Sequence, residues 1–454
     1  MRDVTEGSKR KNMGGPMESH RVRRITTGIT LLAVVLSSFP AGGTVANGDE
    51  ESPPPSAGWP QFRGPTGQGT VGAGESVPVS WSETENIAWR AKVPGSGWSS
   101  PVIDGDELWV TTSTESGRSL RAISFDLATG KLTRNIKVFD IDRAGTIHSK
   151  NGHASPTPIL DGDRVYVHFG ANGTACLTRS GRILWKRTLA YYHHHGSAGS
   201  PVLVDGVLVV VCDGFTGPFY DKATRPGVEN LQFAVGLDAA TGDVRWKTPR
   251  AGRHSYCTPL VVSVDGKPQV ICPGGDHVWA YDPADGRELW NCRYEGYSVI
   301  PRPVTKNGVV FVCTGYDAAS LMAIRLGGQG DVTNSHLAWR YAQGVPFTPS
   351  PVIVGDYIYL VSDNGILSCV TLGGGQLEWK QRLGGNFSAS PICVEDRLYC
   401  QSEDGVTHVV RVGPKFEKLS TNKIKGKTFA SPAVVDGRIY LRSDKQIYCV
   451  AEVK

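Results

Sequence analysis

Long apolar runs are scarce in this chain, and helical periodicity is scarcer. Outside Ile29 to Phe39 no stretch has the length of a membrane-spanning candidate, and that one is short for a comfortable span. Beyond the N-terminus no segment reads as an amphipathic helix of useful length. Charge of one sign is also missing: 48 Lys and Arg stand against 43 Asp and Glu, a net +5. Residues 1–46 hold seven of the basic side chains and three of the acidic ones, so the body is nearly neutral. A neutral body with no basic stripe argues against nucleic acid as a partner. There is no Gly-x-Ser-x-Gly elbow, and no carboxylate pair can be placed on one loop face. Asp104, Asp161, Asp205 and Asp265 read as hairpin-turn residues, and no two of the ten cysteines are adjacent.

What the chain does have is turn chemistry. Its 55 Gly and 28 Pro punctuate short runs rich in β-branched and aromatic residues, which favours many short strands. The N-terminus reads as an export signal over residues 1–46. Arg21-Val-Arg-Arg24 is the basic region, Ile29 to Phe39 the apolar core, and Thr44-Val-Ala46 a small-residue cleavage site. Met17 is an alternative start, because residues 1–16 add nothing that a signal needs. The mature protein is expected in the periplasm or secreted; an uncleaved N-terminal segment would instead tether it to the membrane. Residues 47–58 are acidic and Pro-rich, and read as a disordered linker. The remaining domain is 59–454.

A repeat decides the fold. A Ser/Thr/Pro-x-Pro anchor leads into an apolar strand, a tight Asp-Gly type turn and a second apolar strand. The anchors are Pro101, Pro158, Pro201, Pro259, Pro303, Pro351, Pro391 and Pro432, separated by 57, 43, 58, 44, 48, 40 and 41 residues. Asp-Gly suits a two-residue hairpin because both central positions need positive φ. A third strand then runs into an Asp-x-x-x-Gly turn and a Trp, as in Asp238 to Gly242 before Trp246 and Asp282 to Gly286 before Trp290. Trp185, Trp339 and Trp379 hold the equivalent place, where they would fill the space between neighbouring repeats. The expected fold is therefore all-β: an eight-bladed β-propeller of four-stranded antiparallel blades. The last repeat supplies only three strands, and Asn86 to Val93, with Trp89, is an orphan fourth. This N-terminal strand is expected to close the last blade and leave no open edge.

The pattern resembles the PQQ-like (quinoprotein-type) β-propeller repeat family over Trp59 to Val450. It is most similar to exported, planctomycete-like bacterial members that open with Trp59-Pro-Gln-Phe-Arg63-Gly-Pro65 and carry His153-Ala-Ser-Pro156-Thr-Pro158. In size it is distantly similar to the propeller lipoprotein that assists outer-membrane protein assembly, without the lipid-bearing Cys. Quinone-dependent dehydrogenases of the family use adjacent cysteines over the cofactor, calcium ligands and a catalytic Asp. This chain departs from that pattern, so PQQ is not expected as its cofactor.

Enlarged loops gather in blades 2 to 4: Phe139 to Gly152, Ala190 to Gly199, and Asp213 to Asn230. They carry His148, His153, His193, His194, His195 and His254. His153 and His254 lie five residues before their anchors and His195 six, which predicts three rings near one channel mouth. Three readings stay open. His153, His195 and His254 could hold a transition metal, with His193, His194, Asp213 and Asp221 as further ligands or supports. They could line an organic pocket with Tyr192, Phe215 and Tyr220, or simply hydrogen-bond loop backbones.

The cysteines recur at equivalent strand positions, as small buried core residues do. Cys257 and Cys272, across the blade-4 hairpin, are the one pair to test as a disulfide. The functional expectation is an exported, non-catalytic binding or scaffolding propeller, monomeric, working through blades 2 to 4. Its partner would be an envelope protein or a small or oligomeric ligand. The alternatives are an oxidoreductase or other enzyme with a cofactor or metal at the channel mouth, and a factor assisting outer-membrane protein assembly.

Overall fold

The computed structural model describes residues 58–72, 74–193, 195–214 and 232–452. The expected signal peptide and nearly all of the linker lie outside them, as do His194, Phe215, Tyr220 and Asp221. Eight antiparallel sheets follow one another along the chain. Blades 1 to 4 span 102–140, 159–187, 202–249 and 260–293. Blades 5 to 7 span 304–341, 352–382 and 392–423, and blade 8 combines 433–450 with Ile87–Lys92. Among the described residues the only helical pieces are two 3-10 turns, Glu115–Gly117 and Gly170–Asn172.

The closing strand lies where the orphan Trp pattern puts it. Ile87 to Lys92 pairs antiparallel with Gln446 to Val450, so one sheet locks both ends of the ring.

The recurring Trp ties five of the eight blades to the next one. Trp185 of blade 2 donates its indole N–H to the Ala239 carbonyl of blade 3 at 3.1 Å. Its ring lies over Gly242, where a Cβ would come within 2.5 Å and φ is +77°. That close approach is why the Asp-x-x-x-Gly turn ends in glycine. The same donation runs from Trp89 to Leu127, Trp246 to Pro283, Trp339 to Leu372 and Trp379 to Gly413. Trp290 departs from it and bonds Gln269 of its own blade.

The residue before each anchor proline has a second purpose. Backbone N–H groups donate to the neighbouring hydroxyl in a girdle around the channel: Ser100 to Thr157, Thr157 to Ser200 and Ser200 to Thr258. Farther round, Arg302 donates to Ser350, Ser350 to Ser390, Ser390 to Ser431 and Ser431 back to Ser100, all seven bonds at 2.9–3.0 Å. Only blade 5 has no hydroxyl at this position; Arg302 stands there instead.

Arg302 belongs to a plug. The segment from Trp59 to Val71 crosses the channel against the innermost strands. Trp59 exchanges backbone bonds with Ile103 of blade 1, and the Pro60 carbonyl accepts from Leu160 of blade 2. Arg302 donates to the Phe62 carbonyl. The fully buried Arg63 donates to the carbonyls of Gln68 and Pro351 at 2.6 Å, with longer contacts to Ser350 and Pro391. Thr70–Val71 then adds a parallel strand to Cys393–Val394 of blade 7. Burial and the Arg302 charge both disfavour the Arg63 cation, and the ring of carbonyls offsets that cost.

All ten cysteines are buried and free. The Cys257–Cys272 pairing is therefore corrected. Cys257 packs into the core between blades 4 and 5, and Cys272 into the core between blades 3 and 4. The two thiols face opposite sides of one sheet, and burial pushes both pKa values up.

Candidate functional site at the channel mouth

The loops leading into the blades and those joining second to third strands meet on the face away from the hairpin turns. Here an arc of rings runs from the loop before blade 2 to the loop before blade 6. His148 lies 5.5 Å from His195, His195 6.2 Å from His254, and His254 5.2 Å from Tyr297, centroid to centroid. Tyr297 is 6.2 Å from Tyr316, which stacks on Phe347 at 4.5 Å with 13° between the planes. Backbone bonds fix the loops that carry the rings. His148 N–H donates to the His195 carbonyl, Ser298 N–H to that of His254, and Tyr316 N–H to that of Tyr297. Tyr256 packs beside both His195 and His254.

Of the sequence-derived candidates, the structure brings His195 and His254 side by side. It sets His153 against Gly117 of blade 1, where a Cβ would meet the ring at 2.2 Å. Burial lowers the His153 pKa. His193 accepts from the Ala171 N–H at 3.1 Å and packs edge-on against Tyr191. Tyr192 is half-buried in the same loop. Among the described residues no three His, Cys, Asp or Glu side chains are grouped to hold a metal ion. No two cysteines are adjacent in the sequence and all ten are buried as free thiols, so the adjacent pair that would form a disulfide lid over a quinone is missing.

Asp213 lies under the arc, in a blade-3 strand, and is buried. Its Oδ1 is 3.5 Å from Arg250 Nε, while its Oδ2 has no hydrogen-bond partner among the described residues. Burial raises its pKa to about 6 against the opposing pull of Arg250. The Arg250 guanidinium in turn covers the Trp279 ring at 4.3 Å and donates to the Cys272 carbonyl. Beside Asp213 is a cavity of ≈ 20 Å3 lined by Tyr191, His193, Ser197, Ser255 and Tyr256 among others. That space suits about one water.

The loop before blade 2 also spans the mouth. At one end His148 meets the loop of blade 3. At the other, Lys150 Nζ reaches Glu403 Oε1 of blade 7 at 2.8 Å, across the ring. Ser388 donates to the same carboxylate oxygen. On the arc itself, the Arg253 guanidinium sits 4.5 Å over the Tyr297 ring, paired with Asp276 and Asp317.

Sequence reasoning named His148 only among the loop histidines and passed over Tyr297, Tyr316 and Phe347. Each lies in a loop that leads into a blade or joins its second and third strands, and that shared offset is the signal that could have found them.

Comparison with known proteins agrees with this architecture. The family described as "Outer membrane protein assembly factor BamB" matches residues 42–219, 232–346 and 329–414. BamB from Moraxella catarrhalis is similar in structure, with a TM-score of 0.52 at 14% identity, covering 75% of this chain and 97% of that one. The quinohemoprotein alcohol dehydrogenase ADHIIG from Pseudomonas putida HK5 gives 0.59 at 11%, covering 88% and 81%. The computationally designed Ika8 protein gives 0.54 at 11%, covering 81% and 99%. At such identities these likenesses show the fold alone. Among curated proteins none matches the sequence. With repeats, blades and most of its length in agreement, the chain belongs to the PQQ-like β-propeller family that includes the assembly factor BamB.

Proposed function

We propose that this protein is an exported, non-catalytic binding propeller whose working surface is the mouth of blades 2 to 6, centred on the enlarged loops of blades 2 to 4. The observation that carries this reading is the asymmetry of the channel. One end is filled by the Trp59 to Val71 plug, while the other presents a preorganised arc of rings from His148 to Phe347. Rings with few rotatable bonds, held by backbone bonds, lose little entropy when a partner docks. A photo-crosslinking residue at Tyr316, which is 45% exposed, should give adducts in envelope fractions of the native host. The same residue at Leu377, exposed on an outer strand, should give none. Adducts at Leu377 alone would overturn the reading.

Export through residues 1–46 predicts a mature chain that begins at Asn47, which N-terminal sequencing would check. Addition of PQQ and calcium to the purified protein is expected to give no dye-linked alcohol oxidation.

The family match favours a second reading, a scaffold in outer-membrane protein assembly. Deletion of the gene in its host would then lower the yield of outer-membrane barrels and weaken the envelope; an intact envelope with normal barrel levels would remove this reading.

A further inference from the structure

We infer that the mouth-side rim of blades 6 to 8 docks an acidic, extended segment of a partner protein. This surface is separate from the ring arc, and the inference does not rest on that arc.

Strand register builds the rim. Arg382, Lys423 and Lys92 end the outer strands of blades 6, 7 and 8. Each stands opposite the first residue of its blade's third strand, Ile366, Val406 and Gln446 respectively. The three cations therefore sit at one height on successive blades. Lys425 and Lys427 follow in the loop from blade 7 to blade 8, and Lys445 lies between the second and third strands of blade 8; all six residues are exposed. Among the described residues Asp444, 3.9 Å from Lys445, is the one carboxylate within ion-pair reach of them. Other acids here are taken: Glu83 by Arg90 and the Lys425 N–H, and Glu403 by Lys150 and Ser388. Asp404 is exposed, beside the Gly405 carbonyl that accepts from Ile424 N–H, so two acids stand against six cations.

The other half of the ring differs. On the outer strands of blades 1 to 4, Lys137, Arg187, Arg245 and Arg293 each meet an Asp at 2.7–3.0 Å. Arg134 pairs with Glu107, and Lys186 and Lys247 lie over Phe rings. Cations on outer strands discourage edge-to-edge pairing. That need is met in both halves, and it accounts neither for the missing carboxylates nor for the lysines in the loops.

Blade 4 shows what fits the position. Arg293 is the register equivalent of the rim cations, opposite His277 at the start of its third strand. Asp331 neutralises it at 3.0 Å from Gly330–Asp331, a short strand laid alongside the outer strand of that blade. A carboxylate on an extended segment is thus the group that this fold itself places there. Five of the six rim cations are lysines, point charges without the fork that grips a phosphate from two sides. No large apolar side chain is exposed among them to enter a bilayer. Both features favour a protein segment over a lipid surface.

Fluorescence anisotropy of the full mature chain with a dye-tagged peptide of alternating Glu and Gly tests the inference. Saturable binding is expected at low salt, weakening several-fold at physiological ionic strength. The Lys423→Glu, Lys425→Glu, Lys427→Glu triple variant should bind about tenfold more weakly or worse. The matching triple Gln variant should fall between it and the parent. A control triple, Lys131→Glu, Arg182→Glu, Lys267→Glu, changes net charge equally on the hairpin side of blades 1 to 4 and should stay within about twofold. Every substituted side chain is exposed, so each variant should melt with the parent. Absence of saturable binding at low salt would overturn the inference, as would equal weakening by the two charge reversals. Tighter binding to phosphatidylglycerol vesicles than to the peptide would also overturn it, making the rim a membrane contact. None of these outcomes alters crosslinking at Tyr316, so this inference and the ring-mouth reading fail separately.

Discussion

The two ends of the channel are built on opposite principles. At the plugged end Trp59, Arg63 and Arg302 are all but fully buried, and the two guanidiniums are held by backbone carbonyls. At the mouth His195, His254, Tyr297 and Phe347 are half-buried, His148 and Tyr316 are exposed, and the spanning loop is held by an ion pair whose Lys150 end is open to solvent. A buried cation satisfied on all sides fixes structure and leaves nothing to offer a partner. A ring that is exposed, as at His148 and Tyr316, stays within reach of a partner. On the proposed reading one end serves stability and the other recognition, and each half of that reading can be broken separately.

The largest effect is expected at the plug. Arg63→Ala removes the donor that several carbonyls share and leaves them buried without a partner. Hydrogen bonds to a charged group are worth about 1.5–3 kcal/mol each, so a loss on the order of 3 kcal/mol or more is expected in urea unfolding. Tyr316→Ala at the mouth should stay within about 0.5 kcal/mol of the parent. Equal losses from the two substitutions would erase the contrast.

An intermediate effect belongs to Asp213, between the two ends. Its folded pKa of about 6 lies above the roughly 3.9 of an unfolded Asp. The folded state therefore holds the proton more tightly, and stability should fall as pH rises from about 4 to 6. The change is on the order of 2 kcal/mol. Asp213→Asn should flatten that part of the profile. A variant whose slope matches the parent would mean that Asp213 ionises normally.

The smallest effect is at the spanning loop. Glu403→Gln loses an ion pair whose Lys150 side chain is 42% exposed, and should cost no more than about 0.5 kcal/mol. Hydrogen exchange in residues 142–152 should nonetheless quicken, while that of the blades stays unchanged. Unaltered exchange there would mean that the pair does not hold the loop.

What could be read from the sequence divides along the same line. The blades were legible because their signals are local and repeated: Asp436-Gly437 makes a hairpin whatever lies around it, and Trp89 betrayed the missing strand by matching its counterparts. The plug was not. Trp59 to Pro65 occurs once and reads only as a family marker, while Arg63 finds its partner carbonyl in Pro351, 288 residues away. Nor was the girdle, although its hydroxyls stand before seven of the eight prolines. A serine before a proline reads as turn chemistry until the ring closes and brings Ser431 to Ser100. At the mouth, histidine drew attention as a scarce ligand type, whereas Tyr297, Tyr316 and Phe347 look like any core aromatic until the loops assemble.

Hydrogen–deuterium exchange of the full mature chain tests the central claim most directly, because it reads both ends of the channel in one experiment. The account predicts that residues 59–71 exchange as slowly as the innermost strands, while residues 142–152 exchange orders of magnitude faster. Exchange in 59–71 as fast as in the spanning loop would mean an open channel, and would contradict the division between a sealed end and a working one.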